Sequence, residues 1–105
     1  KAPPRIPQTA DALYDQGVME MNRAHFDSAI DFFKRALKTQ PHQPHILYSL
    51  AAAQVRSGKA DEGLATLERA VEAKEINRSH ARNDPDFAAL RTDERFQELV
   101  GLMGM

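Results

Sequence analysis

The sequence predicts an all-α fold: a solenoid of helical hairpins, with about six helices stacked along one axis. Three observations carry this. Residues 26–41 place apolar side chains at Phe26, Ala29, Ile30, Phe33, Ala36 and Leu37, the i, i+3, i+4, i+7 spacing of one buried helix face. That stretch returns 34 residues later, with Asp27 answered by Asp61, Ala29 by Gly63, Phe33 by Leu67 and Ala36 by Ala70. The preceding helix returns in the same register, Leu13 as Leu47, Tyr14 as Tyr48, Gly17 as Ala51 and Ala24 as Gly58. Two helices per fixed period is the mark of a repeat array, in which each hairpin buries its apolar face against the next.

Residues 1–8 hold half of the prolines and read as an extended tail or linker that tethers the array to whatever precedes it. The chain starts on Lys1 rather than Met, as a segment of a longer protein would. Two repeats follow over residues 9–77, one at 10–43 and the other at 44–77. Thr9 suits the N-cap of the first helix and Asp11 its first turn. Gly17 in mid-helix sacrifices stability relative to alanine, and close approach of a neighbouring helix is the compensation to look for. His25 and Lys59 are weak caps for the second and fourth helices, so Asp27 and Asp61 complement the helix dipole there. Pro41 stops the second helix and Pro44 opens the third at its first position. Leu47, Leu50, Ala51 and Val55 form the buried stripe of that third helix. Gly58 suits a left-handed C-cap. Leu64, Leu67, Ala70 and Val71 mark the fourth helix.

Beyond this the residue pattern lapses, since Ala51 would be answered by Pro85. Residues 78–105 read as a helical capping segment with two short helices. Asp84 and Pro85 open one that carries Phe87 and Leu90. Thr92 or Asp93 opens the other, with Phe96, Leu99, Val100 and Met103 at helical spacing. Such a unit covers the last exposed face of an array. Gly101, Gly104 and Met105 suggest fraying at the end.

The composition excludes several function classes. One domain of 105 residues with 42% apolar and 28% charged residues builds a core without metal or disulfide. A net charge of −1 lacks the basic excess of a nucleic-acid binder. There is no cysteine, so no disulfide, thiolate chemistry or cysteine-ligated zinc. That absence suits the cytosol and an oxidising compartment alike; a soluble, cytoplasmic location is the expectation. No run reaches the ~20 apolar residues of a membrane span, and no leader is visible, so no membrane insertion is expected.

No pattern in the chain suggests catalysis. His42 and His45 straddle a helix start with Pro44 between them, His25 lies in another turn, and no carboxylate joins them at ligand spacing. They read as solvated turn residues. No phosphate-binding glycine loop, nucleophile elbow or zinc-protease signature occurs, and the carboxylates sit on helix surfaces without cause for burial. No enzyme activity, cofactor or metal is expected. Lys74, Arg78 and Arg82, extended by Arg91 and Arg95, read as the solvated face of the cap, with a contact surface for an anionic partner as the alternative.

The alternation of small and large residues resembles the tetratricopeptide repeat. Leu13 and Leu47, Leu50, the small Gly17 and Ala51, the small Ala29 and Gly63, the large Phe33 and Leu67, the pair Ala36 and Ala70, and Pro41 all match that family's pattern. Gln16, Glu20, Gln54 and Glu75 depart from it. Residues 84–99 resemble closing segments found after such repeats in bacterial proteins. Physically, the small residues let paired helices approach while the large ones fill the space beside the contact.

The resemblance implies a right-handed solenoid with a concave groove lined by the first helix of each repeat, and a non-enzymatic protein–protein interaction role for it. The groove residues would be Tyr14, Val18, Met21 and Asn22 on the first repeat and His45, Tyr48, Ala52, Val55 and Arg56 on the second, with Asp11 at one end. Tyr14 and Tyr48 offer apolar rings with polar tips and would hold apolar or aromatic anchors of a protein or peptide partner; the alternative is that they pack between helices. Arg56 would meet an acid at the rim. Relatives that hold acidic C-terminal tails do so with a clamp of lysine and asparagine; Tyr14, Val18, Ser49 and Ala52 stand at those positions here, so acidic-tail binding is not expected. The other reading is a structural, regulatory or oligomerisation domain of a larger protein, homo-oligomerisation included.

Overall fold

The computed structural model describes residues 9–73 and 78–103. The elements are α1 (Ala10–Asn22), α2 (Phe26–Thr39), α3 (Pro44–Arg56), α4 (Ala60–Glu72), α5 (Arg78–Asn83), a 3-10 helix (Pro85–Leu90) and α6 (Glu94–Leu102). The proline-rich tail, Lys74 and the last two residues lie outside the described range. The described residues are helical throughout apart from turns and caps, as the periodicity requires.

Each helix end has a local cause. The Ala12 amide donates to Thr9 Oγ1 at 3.1 Å, opening α1. His25 and Lys59 make no side-chain cap bond. The three-residue turns after α1 and α3 are built alike. The His25 amide reaches Glu20 O and the Lys59 amide reaches Gln54 O, each at 2.8 Å, closing the long bond of a Schellman cap. Such a cap needs one left-handed residue. Gly58 supplies it at φ 87°, but its counterpart in the first turn is Ala24 at φ 61°. A Cβ in that region costs roughly 1–2 kcal/mol. The third turn is different: Asp93 caps α6, accepting from the Arg95 amide at 2.8 Å.

The small positions are contact points. A Cβ on Gly17 would run into the Phe33 ring, which explains the mid-helix glycine. A Cβ on Gly63 would lie 2.6 Å from Val55 Cγ2 and 3.1 Å from the Ala51 carbonyl oxygen. Ala29, Ala36, Ala51 and Ala70 are fully buried, and Phe33 and Leu67 fill the space beside them. Overpacking at such a contact destabilises by about 1–3 kcal/mol.

α3 is the centre of the molecule. Besides the expected stripe, Ile46, Ala52 and Ala53 are buried. Gln54 is buried too, and its Oε1 accepts from Thr66 Oγ1 at 2.6 Å. This satisfies a polar pair that would otherwise cost about 1–3 kcal/mol per orphaned group.

The residue pattern lapses after residue 78, but the architecture does not. α3 starts 34 residues after α1, and α2, α4 and α6 start at Phe26, Ala60 and Glu94, each 34 residues after its predecessor. The closing region is therefore a third helical unit whose first helix is broken. Pro85 lacks the amide an α-helix would need and ends α5; the 3-10 helix covers the rest of the span that α1 and α3 cover as single helices. Asp84 accepts from the Asp86 amide at 2.9 Å to open it. Phe87, Leu90, Phe96, Val100 and Met103 close the core, with Phe87 and Phe96 stacked at 5.7 Å.

Candidate protein-binding face

α1 and α3 lie side by side, and the residues expected to form the groove map onto their shared face. Tyr14 is half-buried. Its ring lies 5.7 Å from Phe33 and meets His45 edge-on at 4.9 Å between centroids. Its hydroxyl accepts from Ser49 Oγ across a long 3.4 Å. Val18 and Met21 are half-buried and pack against the core, while Asn22 and His45 are exposed.

The second half of the face meets the closing unit. The Tyr48 hydroxyl donates to Asp84 Oδ2 at 2.7 Å, and its ring contacts Phe87 edge-on at 5.2 Å and His80 at 5.5 Å. Burial first, and the bond to Asp84 second, push the Tyr48 phenol well above its ordinary value, because the phenolate would be both desolvated and set against a carboxylate. Arg56 donates to Asp86 at 2.8 Å and lies 4.7 Å over the Phe26 ring. The acid expected opposite Arg56 thus comes from the chain itself. Ala52 and Val55 are 3% and 6% exposed, so they lie under this face rather than on it.

The structure thus brings Tyr14, Val18, Met21, Asn22 and His45 together on an accessible face, and sets Tyr48 and Arg56 against the third unit. Asp84, Asp86, His80 and Phe87 are the neighbours that sequence reading did not join to this face. A carboxylate at Asp84 capping a turn was legible; its second oxygen reaching a tyrosine on α3 was not.

The basic side chains of the third unit serve its own packing. Arg78 donates to the carbonyls of Gly101 and Met103, and Arg91 to those of Arg82 and Asp84. Arg95 bridges Asp61 and Asp93, each at 2.9 Å. His25 bonds Glu20 at 2.7 Å. Among the described residues no group of three or more histidines and carboxylates is placed to hold a metal, and no helix is long and apolar enough to cross a membrane.

Stacked hairpins of constant period, with a face of aromatic and small apolar side chains along their first helices, define a helical-repeat scaffold. The family model described as Tetratricopeptide repeat matches residues 21–94. The chain belongs to the tetratricopeptide repeat family, whose domains are generally non-catalytic protein–protein interaction modules. No curated protein and no solved structure gives a match.

Proposed function

We propose that this domain binds a protein segment along the α1–α3 face, with Tyr14 as the central contact and Val18, Met21, Asn22 and His45 around it. Residues 10–43 and 44–77 act as the two binding repeats, residues 78–105 as the closing unit, and residues 1–8 as a tether. The observation that carries this reading is the unequal commitment of the two tyrosines. Each ring meets one phenylalanine and one histidine, but the Tyr48 hydroxyl is held by Asp84 at 2.7 Å, whereas the Tyr14 hydroxyl has a 3.4 Å bond from Ser49. A half-buried aromatic ring with hydrogen-bonding capacity in reserve is the sort of anchor that dominates interface energetics. The partner segment carries an apolar or aromatic side chain that packs on Tyr14 and Val18.

The test is to select peptides from a displayed random library against the folded domain and measure the best binder with Tyr14→Ala. Affinity should fall at least fivefold, about 1 kcal/mol, while the helical circular dichroism is kept. Undiminished binding to the folded variant would move the site to another face.

A further inference from the structure

A second groove runs between α4 and α6, with a volume of about 520 Å³. Its apolar surface comes from Leu64, Val71, Leu99 and Leu102. It exists because the second junction is covered less completely than the first. Leu37 on α2 is 8% exposed, but its counterpart Val71 on α4 is only half-buried. Leu102 stands at the edge 73% exposed, the most open large apolar side chain among the described residues.

The rim is of one sign. Glu68, Glu72 and Glu98 line it and make no ion pair among the described residues. Among the described residues the one cation lining the groove, Arg95, is already held by Asp61 and Asp93. An apolar trough between two helices with an unneutralised acidic rim matches an amphipathic helix whose apolar face is flanked by lysine or arginine. It does not match a second copy docked by two-fold symmetry, which would set glutamates against glutamates. We propose that the α4–α6 groove is a second docking site, for a basic amphipathic helical segment of a partner protein. It lies on different helices from the α1–α3 face and does not depend on the function assigned there.

The probe is a synthetic helical peptide with leucines along one face and lysines flanking them, with a control in which glutamates replace the lysines. Amide resonances of the protein are followed during titration. The lysine peptide should shift Leu64, Val71 and Leu99, and weaken with added salt. A double charge reversal, Glu68→Lys with Glu98→Lys, should reduce its affinity at least tenfold, and Leu102→Asp should do the same. Leu102 is exposed enough for that variant to keep its melting temperature. Equal binding of the glutamate peptide, or unchanged affinity in the folded charge-reversed protein, would overturn the proposal. Shifts confined to Tyr14 and its neighbours would overturn it too. Self-association that disappears in Leu102→Asp, with no peptide bound, would give the groove to a second copy instead.

Discussion

Tyr14 and Tyr48 stand in the same register of successive first helices, and they meet different neighbours. Tyr14 faces the buried Phe33 ring, the exposed His45 and a serine hydroxyl at 3.4 Å. Tyr48 faces a carboxylate at 2.7 Å and the buried Phe87 ring. The difference arises in the unit that follows each one. After Tyr14 comes an intact helix, α3, which presents the exposed His45 and the half-buried Ser49 to it. After Tyr48 comes a first helix broken at Pro85, and the break delivers Asp84, Asp86 and Phe87 to the α3 surface. One register position therefore yields an accessible surface in the first repeat and a clasp for the closing unit in the second.

The largest test of this contrast removes the clasp. Deleting residues 84–105 takes away Phe87, Leu90, Phe96 and Val100 together, and opens Tyr48, Leu64 and Leu67 to water. The fragment should aggregate or lose its cooperative melt. A soluble, monomeric fragment with an undiminished melting temperature would show that the closing unit is an appendage.

Next in size are the steric contacts inside the hairpins. Gly63→Leu and Ala29→Leu should each cost about 1–3 kcal/mol by denaturant titration. Both hairpins use the same contact, so the two losses should be similar. Unchanged midpoints in both would contradict the alignment of the two repeats.

Removing one oxygen separates the tyrosines more finely. Tyr48→Phe leaves Asp84 Oδ2 without its donor and should cost about 1 kcal/mol or more, while Tyr14→Phe should cost only a few tenths. The raised Tyr48 pKa adds a sign. The unfolded chain releases that proton near pH 10 and the folded chain holds it. Stability from this group is thus complete below about pH 10 and declines above it. Between about pH 9 and pH 11 the wild-type urea midpoint should fall by more than that of Tyr48→Phe; parallel falls would mean that the phenol is neither buried nor held by Asp84 in solution.

The smallest effect compares the two Schellman turns. Ala24→Gly relieves the left-handed strain that Gly58 avoids in the second turn, less the greater freedom of glycine in the unfolded chain. The net gain should be a few tenths to about 1 kcal/mol, read as a raised melting temperature. A lower melting temperature would mean that Ala24 contributes through its methyl group.

Much of the fold was legible because its causes are local. Apolar spacing, prolines at residues 41 and 44, and the small–large alternation placed α1 to α4 within a residue or so of their ends. The 34-residue spacing of α6 was not legible, because it survives in hairpin geometry after the residues that signal it have changed. Gln54 stands where the family pattern has tyrosine and reads as a departure; only its contact with Thr66 shows that the position is still internal. The candidate face was legible in its first half alone. The second half depends on Tyr48–Asp84 and Arg56–Asp86, joined across 36 and 30 residues, and no periodicity encodes such pairs.

Those separations have a consequence for how the molecule comes apart. Among the described residues, every side-chain hydrogen bond between units ties a unit to its immediate neighbour, and none spans more than 36 residues. Cooperativity therefore passes from hairpin to hairpin, as in a short one-dimensional chain of coupled spins. Among the described residues α1 packs against α2 and α3, whereas α3 is enclosed by α1, α2, α4 and the 3-10 helix. Amide exchange should accordingly be slower in α3 than in α1, so the helix that offers Tyr14 to a partner is one that binding can tighten.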